Sequence, residues 1–321
     1  MSEVWPVIGG LIGTGLPQPL LVPEQNEGWR RVREGYDKAR AWLEELNPDV
    51  LIVYSTMWPS VIGHQIQADP EPTWTHVDEL FHDLGSIPYS FKVDSDFAHE
   101  AQRAGVKRGL MSRTVSYHGF PIDTGSIVAL KLLNPNNKFP ISILSSNVYA
   151  DRAETVVFAK SILDALKTQN KRAAVVTVAS LSNRLFTDFI EPSEDRIHSA
   201  KDEEWNQKLL EFLGAGRLED VAQLSREIQK QIRVKKVVNF KPFWFLSAMC
   251  GQHNNFDGEV HAYEPIYGTR GAVVSLTPSA GSFGDKEFDE DDVEVFQGDR
   301  NVLGGQAPTE TFESNAAGSD D

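Results

Sequence analysis

The chain has 321 residues, 40% of them hydrophobic and 24% charged, which is a globular composition long enough for one large domain or two small ones. Its formal net charge is −15, and the stretch from Pro278 onward, with 12 acidic and 2 basic residues, carries −10 of it. No basic patch interrupts this balance, so nucleic acid is excluded as an expected partner. No run of 18 or more apolar residues is present, so no membrane span is expected. The start, MSEVWPVIGG, lacks the basic and apolar regions of a signal peptide. The single cysteine, Cys250, leaves no internal disulfide and fits a reducing cytoplasm. It sits in an apolar, helix-like run and reads as core packing.

In chain order, Val4 to Ile12 predicts a first strand. The glycines after it, Gly10, Gly13 and Gly15, superficially suggest a phosphate-cradling loop. Such a loop opens a helix, and Leu16-Pro17-Gln18-Pro19 is a poor start for one, so nucleotide binding is not expected. Trp29, Val32, Tyr36, Ala39, Leu43 and Leu46 recur at helical spacing and predict an amphipathic helix over 28–46, ended by Asn47-Pro48-Asp49. Leu51-Ile-Val-Tyr54 is a short apolar run of the kind that forms a strand buried on both faces. A polar loop with Pro70 and Pro72 follows. Further strands are expected at Phe139–Ser145, Ala173–Ala179 and Gly271–Leu276. Helices are expected at Ala153–Leu166, around Trp205–Leu213, at Leu218–Ile232 and at Phe243–Met249. Trp205, Trp244 and Phe245 read as core aromatics. Strands alternating with helices predict an α/β fold, a single domain with a mostly parallel central sheet flanked by helices. The body is expected to span 1–277, and 278–321, rich in Gly, Asp, Glu and Ser, to be a disordered acidic tail that a protease cuts first.

Open α/β sheets place ligands at the carboxyl ends of their strands, where Ser55-Thr56-Met57-Trp58 follow the Leu51 run. Here the chain resembles the class III, LigB-like extradiol dioxygenases, over roughly residues 4–277. The resemblance implies a LigB-like fold and an iron held by two histidines and a carboxylate, with further histidines as acid and base. The family's first metal histidine lies in a His-Pro-rich turn, where this chain has Gly15-Leu16-Pro17-Gln18-Pro19. The second stands just before the tryptophan, where Met57 is found. The acid–base histidine follows Leu-Ser, where Leu181-Ser182 precede Asn183. The iron carboxylate corresponds to Glu259, in Gly258-Glu259-Val260-His261. Three of these four places have lost their chemistry.

Within the family this pattern resembles the α subunits of the 2-aminophenol 1,6-dioxygenases. Val53-Tyr-Ser-Thr56, Val77-Asp-Glu79, Asn170-Lys-Arg172, Glu194-Asp-Arg-Ile197 and above all Gly119-Phe-Pro-Ile-Asp-Thr-Gly125 carry that likeness. It implies a non-catalytic α-type subunit, without a cofactor of its own, beside a homologous β-type subunit that holds Fe(II) and opens an aminophenol- or catechol-like ring. The expected relic pocket comprises Gln18, Met57, His64, His118, Asn183 and Glu259. An alternative is an independent enzyme with a rebuilt metal site of Glu259, His118 and His64. A second metal-ligand set is His253, Asp257, Glu259 and His261, in a stretch that reads as a polar loop. Each has a plain reading beside it: Glu259 as a solvated acid in a Gly-rich turn, His118 as a surface histidine. A third reading is a scaffold whose acidic tail recruits a basic partner.

Overall fold

The computed structural model describes residues 5–182, 184–231 and 240–279, with side chains up to residue 225 in the second stretch. Among the described residues, eight strands form one sheet in the order β6-β3-β7-β2-β8-β1-β10-β9, with the ranges given below. The central strands are β1 (Val7–Gly13), β2 (Val50–Ser60), β7 (Ile141–Asn147) and β8 (Ala173–Val178), all mutually parallel. Antiparallel strands extend both flanks. β10 (Thr269–Pro278) pairs with β1, β9 (Phe256–Ile266) with β10, and β3 (His64–Gln67) with β7, while β6 (Ser112–Val115) lies parallel to β3. A separate hairpin joins β4 (Thr73–Val77) and β5 (Ser86–Ser90).

Parallel central strands need both faces covered, and their residues divide between two cores. Along β2, Leu51 and Val53 face α2 (Glu27–Leu46) and α4 (Thr124–Leu133). Ile52 and Tyr54 face α5 (Arg152–Thr168) and α8 (Lys241–Met249), in a core that α3 (Ser95–Lys107), α6 (Ala200–Gly214) and α7 (Leu218–Gln231) complete. The second core is aromatic at its centre. Tyr54 stacks on Phe245 with centroids 4.3 Å apart, and Phe245 lies 5.9 Å from Phe158. Full burial of each such ring stabilises by roughly 1.5–3 kcal/mol. Cys250 belongs to this core, and burial pushes its thiol up to about 12. No described helix is long and apolar enough to cross a membrane.

The helix read over 28–46 runs from Glu27, because the Asn26 side chain accepts from Gly28 N and Trp29 N. It ends where Asn47 turns left-handed at φ 46°. Several expectations are corrected. The polar stretch after β2 holds β3, the β4–β5 hairpin, α3 and β6. Every residue of β4 is at least partly solvent-accessible, so it shows no alternation of buried and exposed positions. α4 is buried all round, so it has no amphipathic stripe. The stretch containing Glu259 and His261 is strand β9, not a loop. Asn183 and residues 280–321, where the tail was expected, lie outside the described residues.

Candidate functional site

The carboxyl ends of β1, β8 and β2 meet the first turn of α4. Beyond β1 the chain runs through Thr14 and Gly15 into the short α1 (Gln18–Leu21), and Tyr36 Oη donates to Thr14 O at 2.5 Å. The β2 end is irregular, because its register with β7 slips between Ser55 and Pro59. Ser55 Oγ donates to Asp123 Oδ1 at 2.6 Å, and that same oxygen caps α4 by accepting from Ser126 N at 2.9 Å. Thr56 Oγ1 donates to Val178 O at 2.9 Å. These bonds tie β2, β8 and α4 together and hold the backbone that leads into Met57.

Met57 points its sulfur between two glycines. A Cβ on Gly15 would stand 2.6 Å from Gly125 Cα and 2.9 Å from Met57 Sδ. One on Gly125 would stand 2.7 Å from the same sulfur. Gly15 is therefore required by close approach to backbone, whereas a Cβ on Gly125 would meet only the Met57, Val178 and Asp123 side chains. The thioether, on a side chain 37% exposed, lies against both glycines. Gln18, four residues beyond Thr14, is 1% exposed, and neither atom of its amide has a partner among the described residues. α1 packs on α4, so Gln18 and Met57 share this corner of the fold. Trp58 is buried beside Phe120, with ring centroids 5.7 Å apart.

The other expected pocket residues are not brought here. His64 is buried on the opposite face of the sheet, stacked on Phe158 at 4.1 Å, with Nε2 3.1 Å from Glu154 Oε1. His118 is on a surface loop, 72% exposed, with Nδ1 2.9 Å from Asp69 Oδ2. Glu259 lies on the outermost strand, β9, opposite Ser275 and 70% exposed. Its carboxylate Oε1 lies 3.5 Å from His261 Nδ1. Burial lowers the His261 pKa, against the raising effect of Glu259, and Lys38 lowers it further. The donors of the rebuilt-site reading, Glu259, His118 and His64, therefore have separate neighbours. His253 stacks on Phe256 at 4.5 Å and Asp257 accepts from Ser279 Oγ, away from the His261 contact with Ser275 Oγ. Among the described residues, no group of three His, Cys, Asp or Glu is placed to hold one metal ion.

Two polar clusters escaped the sequence reading. Thr124 Oγ1 lies 2.6 Å from both Asp78 Oδ2 and His76 Nε2. The carboxylate only accepts, so the hydroxyl proton goes to Asp78 and His76 must donate. A hydroxyl committed in this way is no activated nucleophile; it bolts the β4–β5 hairpin to α4. On the other face Lys241 is fully buried and donates from Nζ to Asn147 O. Burial lowers its pKa to about 8, against the opposite pull of Glu154 and Asp151. Lys241 and Asn147 are 94 positions apart, so no local spacing could mark them.

The family model for the catalytic LigB subunit of aromatic ring-opening dioxygenases matches residues 17–275. The chain belongs to this family. It is 31% identical over 274 residues to the 2-aminophenol 1,6-dioxygenase alpha subunit of Pseudomonas sp., covering 84% of this chain and 99% of that one. The beta subunit of the Pseudomonas enzyme is 30% identical over 269 residues, covering 78% of this chain and 87% of its own length. The crystal structure of an uncharacterized Escherichia coli K12 protein shares the fold. Its TM-score is 0.57 at 13% identity, over 84% of this chain and 99% of that one. LigB enzymes of the extradiol type imply a ferrous iron. The donors at the β1 and β2 ends here, the Gln18 amide and the Met57 thioether, do not fit a site of two histidines and a carboxylate, and a thioether prefers softer metals such as Cu(I).

Proposed function

We propose that this LigB-family chain is an α-type, non-catalytic subunit of an extradiol ring-cleaving dioxygenase. The substrate would be an aminophenol- or catechol-like aromatic, and Fe(II) would belong to a homologous β-type partner. The observation that carries the reading is the Met57 sulfur seated between Gly15 and Gly125. The place beside the strand ends is taken by a side chain, 37% exposed, that cannot replace a histidine, while Ser55, Thr56 and Asp123 still hold the surrounding backbone together. The similarity to both an alpha and a beta subunit of one enzyme supports a two-subunit assembly. In it, this chain contributes interface burial that stabilises the partner, typically about 1,200–2,000 Å² in total for a stable pair.

The test is ring cleavage by the partner with and without this chain, at matched iron. Co-expression is expected to raise soluble, active enzyme. Equal rates and equal thermal stability in both samples overturn the reading. Purified alone with Fe(II) under anaerobic conditions, the chain should retain far less than stoichiometric iron. Stoichiometric iron lost on Glu259→Ala would instead support an independent metalloenzyme.

A further inference from the structure

The C-terminal turns of α3 and α5 enclose a groove of about 500 Å³ that stands apart from the strand-end corner. Its charged lining is Arg103, Lys107, Arg108 and Lys167 against Glu100 and Asp164, an excess of cations on a body that is net acidic. Arg108 is set in place by Asp164, with Nε to Oδ2 at 2.6 Å and Nη2 to Oδ1 at 3.1 Å. Arg103 donates from Nε at 3.1 Å and Nη2 at 2.5 Å to Glu100 Oε2, so the cationic surplus of the lining is carried by Lys107 and Lys167; all three cations are exposed.

The chain leaves the described body close to this groove. β10 runs antiparallel to β1, so its last residues come beside the first residues of β1. Ser279 N is held by Asn255 O at 3.2 Å. β1 is approached through Trp5, and Lys167 Nζ lies 5.7 Å from the centre of the Trp5 ring. The exit point and the groove are thus on the same edge of the sheet. Six residues further on begins Asp285–Glu294, with seven acidic residues and one lysine in ten. An extended chain spans about 20 Å to Asp285 and about 50 Å to Glu294, at roughly 3.3 Å per residue.

We propose that this groove is the docking surface for the chain's own acidic segment, Asp285–Glu294. Each exposed ion pair is weak. A tethered segment, however, faces its site at an effective concentration on the order of millimolar, so several weak pairs suffice. A composition that cannot build a core is still held by charge, and the proposal is independent of the subunit role.

The test uses the full chain, with a carbodiimide that joins amines to carboxylates at zero length. Lys107 and Lys167 should cross-link to 285–294 within one chain at high dilution. The yield should fall about fivefold between 50 and 500 mM salt, because screening shortens the range of these charges. Arg103→Glu keeps both lysines and should also lower the yield. In Lys107→Glu/Lys167→Glu, with an unchanged circular dichroism spectrum, protease should cut within 285–294 about fivefold faster. Cross-links that land preferentially on other lysines, that form only between chains, or that ignore salt overturn the proposal. So does a cutting rate unchanged in the double variant.

Discussion

Two regions at the same edge of the sheet, on opposite faces, have taken different routes. The corner of Gly15, Met57 and Gly125 is neutral at its centre and held by contact, with a sulfur against two glycines on a side chain that is still 37% exposed. Behind β2 and β7, the region of Tyr54, His64, Glu154 and Lys241 keeps ionisable groups buried among the aromatic rings of α5 and α8. The first has the position expected of a reaction centre and little of the chemistry. The second has chemically capable residues in structural roles. In the described residues, chemically capable side chains and the strand-end corner lie on opposite faces of the sheet.

The sharpest way to separate the two regions is pH. Burial holds Lys241 at about 8 when folded, against an ordinary 10.5. Between those values the unfolded chain binds the extra proton, so stability rises with pH. Relative to Lys241→Met, the wild type should therefore gain on the order of 3 kcal/mol from pH 8 to 10.5, read from denaturant midpoints. Met57→Leu should cost under about 1.5 kcal/mol, with no trend over the same range. A pH trend at Met57, or none at Lys241, would erase the contrast.

Contact packing is tested by Gly15→Ala, whose new Cβ meets Gly125 Cα and Met57 Sδ. A loss of about 1–3 kcal/mol is expected in thermal unfolding. Combining it with Met57→Ala should recover only part of the loss, since the Gly125 backbone still stands in the way. Asp123→Ala removes the cap of α4 and the acceptor of Ser55, and should cost about 1–2 kcal/mol. Asp123→Asn, which can still cap, should cost less. His118→Ala, at an exposed pair outside both regions, should stay within about 0.5 kcal/mol by the same melts.

The sequence alone determined the α/β class, the parallel strands at the sheet centre and the helices with an apolar stripe. Those signals are local: a β-branched run such as Leu51–Tyr54, or the spacing from Trp29 to Leu46, records its own burial pattern. It also pointed to Met57, from the motif around Trp58, although that residue lies inside β2, in the irregular stretch beyond Ser55 where pairing with β8 stops, and not at the strand's end. Of the missed elements, β4 is solvent-accessible throughout and α4 is buried on nearly every side, so neither carries such a record. By contrast, β5 alternates and α3 has a buried stripe of Phe97, Ala98, Ala101 and Ala104 behind its Asp94 cap, so their signals were present but short and lay within a polar stretch. Only the tertiary structure decided which candidates meet. His64 and Met57 are seven positions apart and on opposite faces of the sheet, because the bulge after Ser55 and the turn into β3 redirect the chain. Glu259 went to the outer strand because β9 pairs with β10, which β1 then separates from β8 and β2. Gly15, Met57 and Gly125 met because α4 closes over the ends of β1 and β2, a contact between segments too distant in the chain for any periodicity to encode.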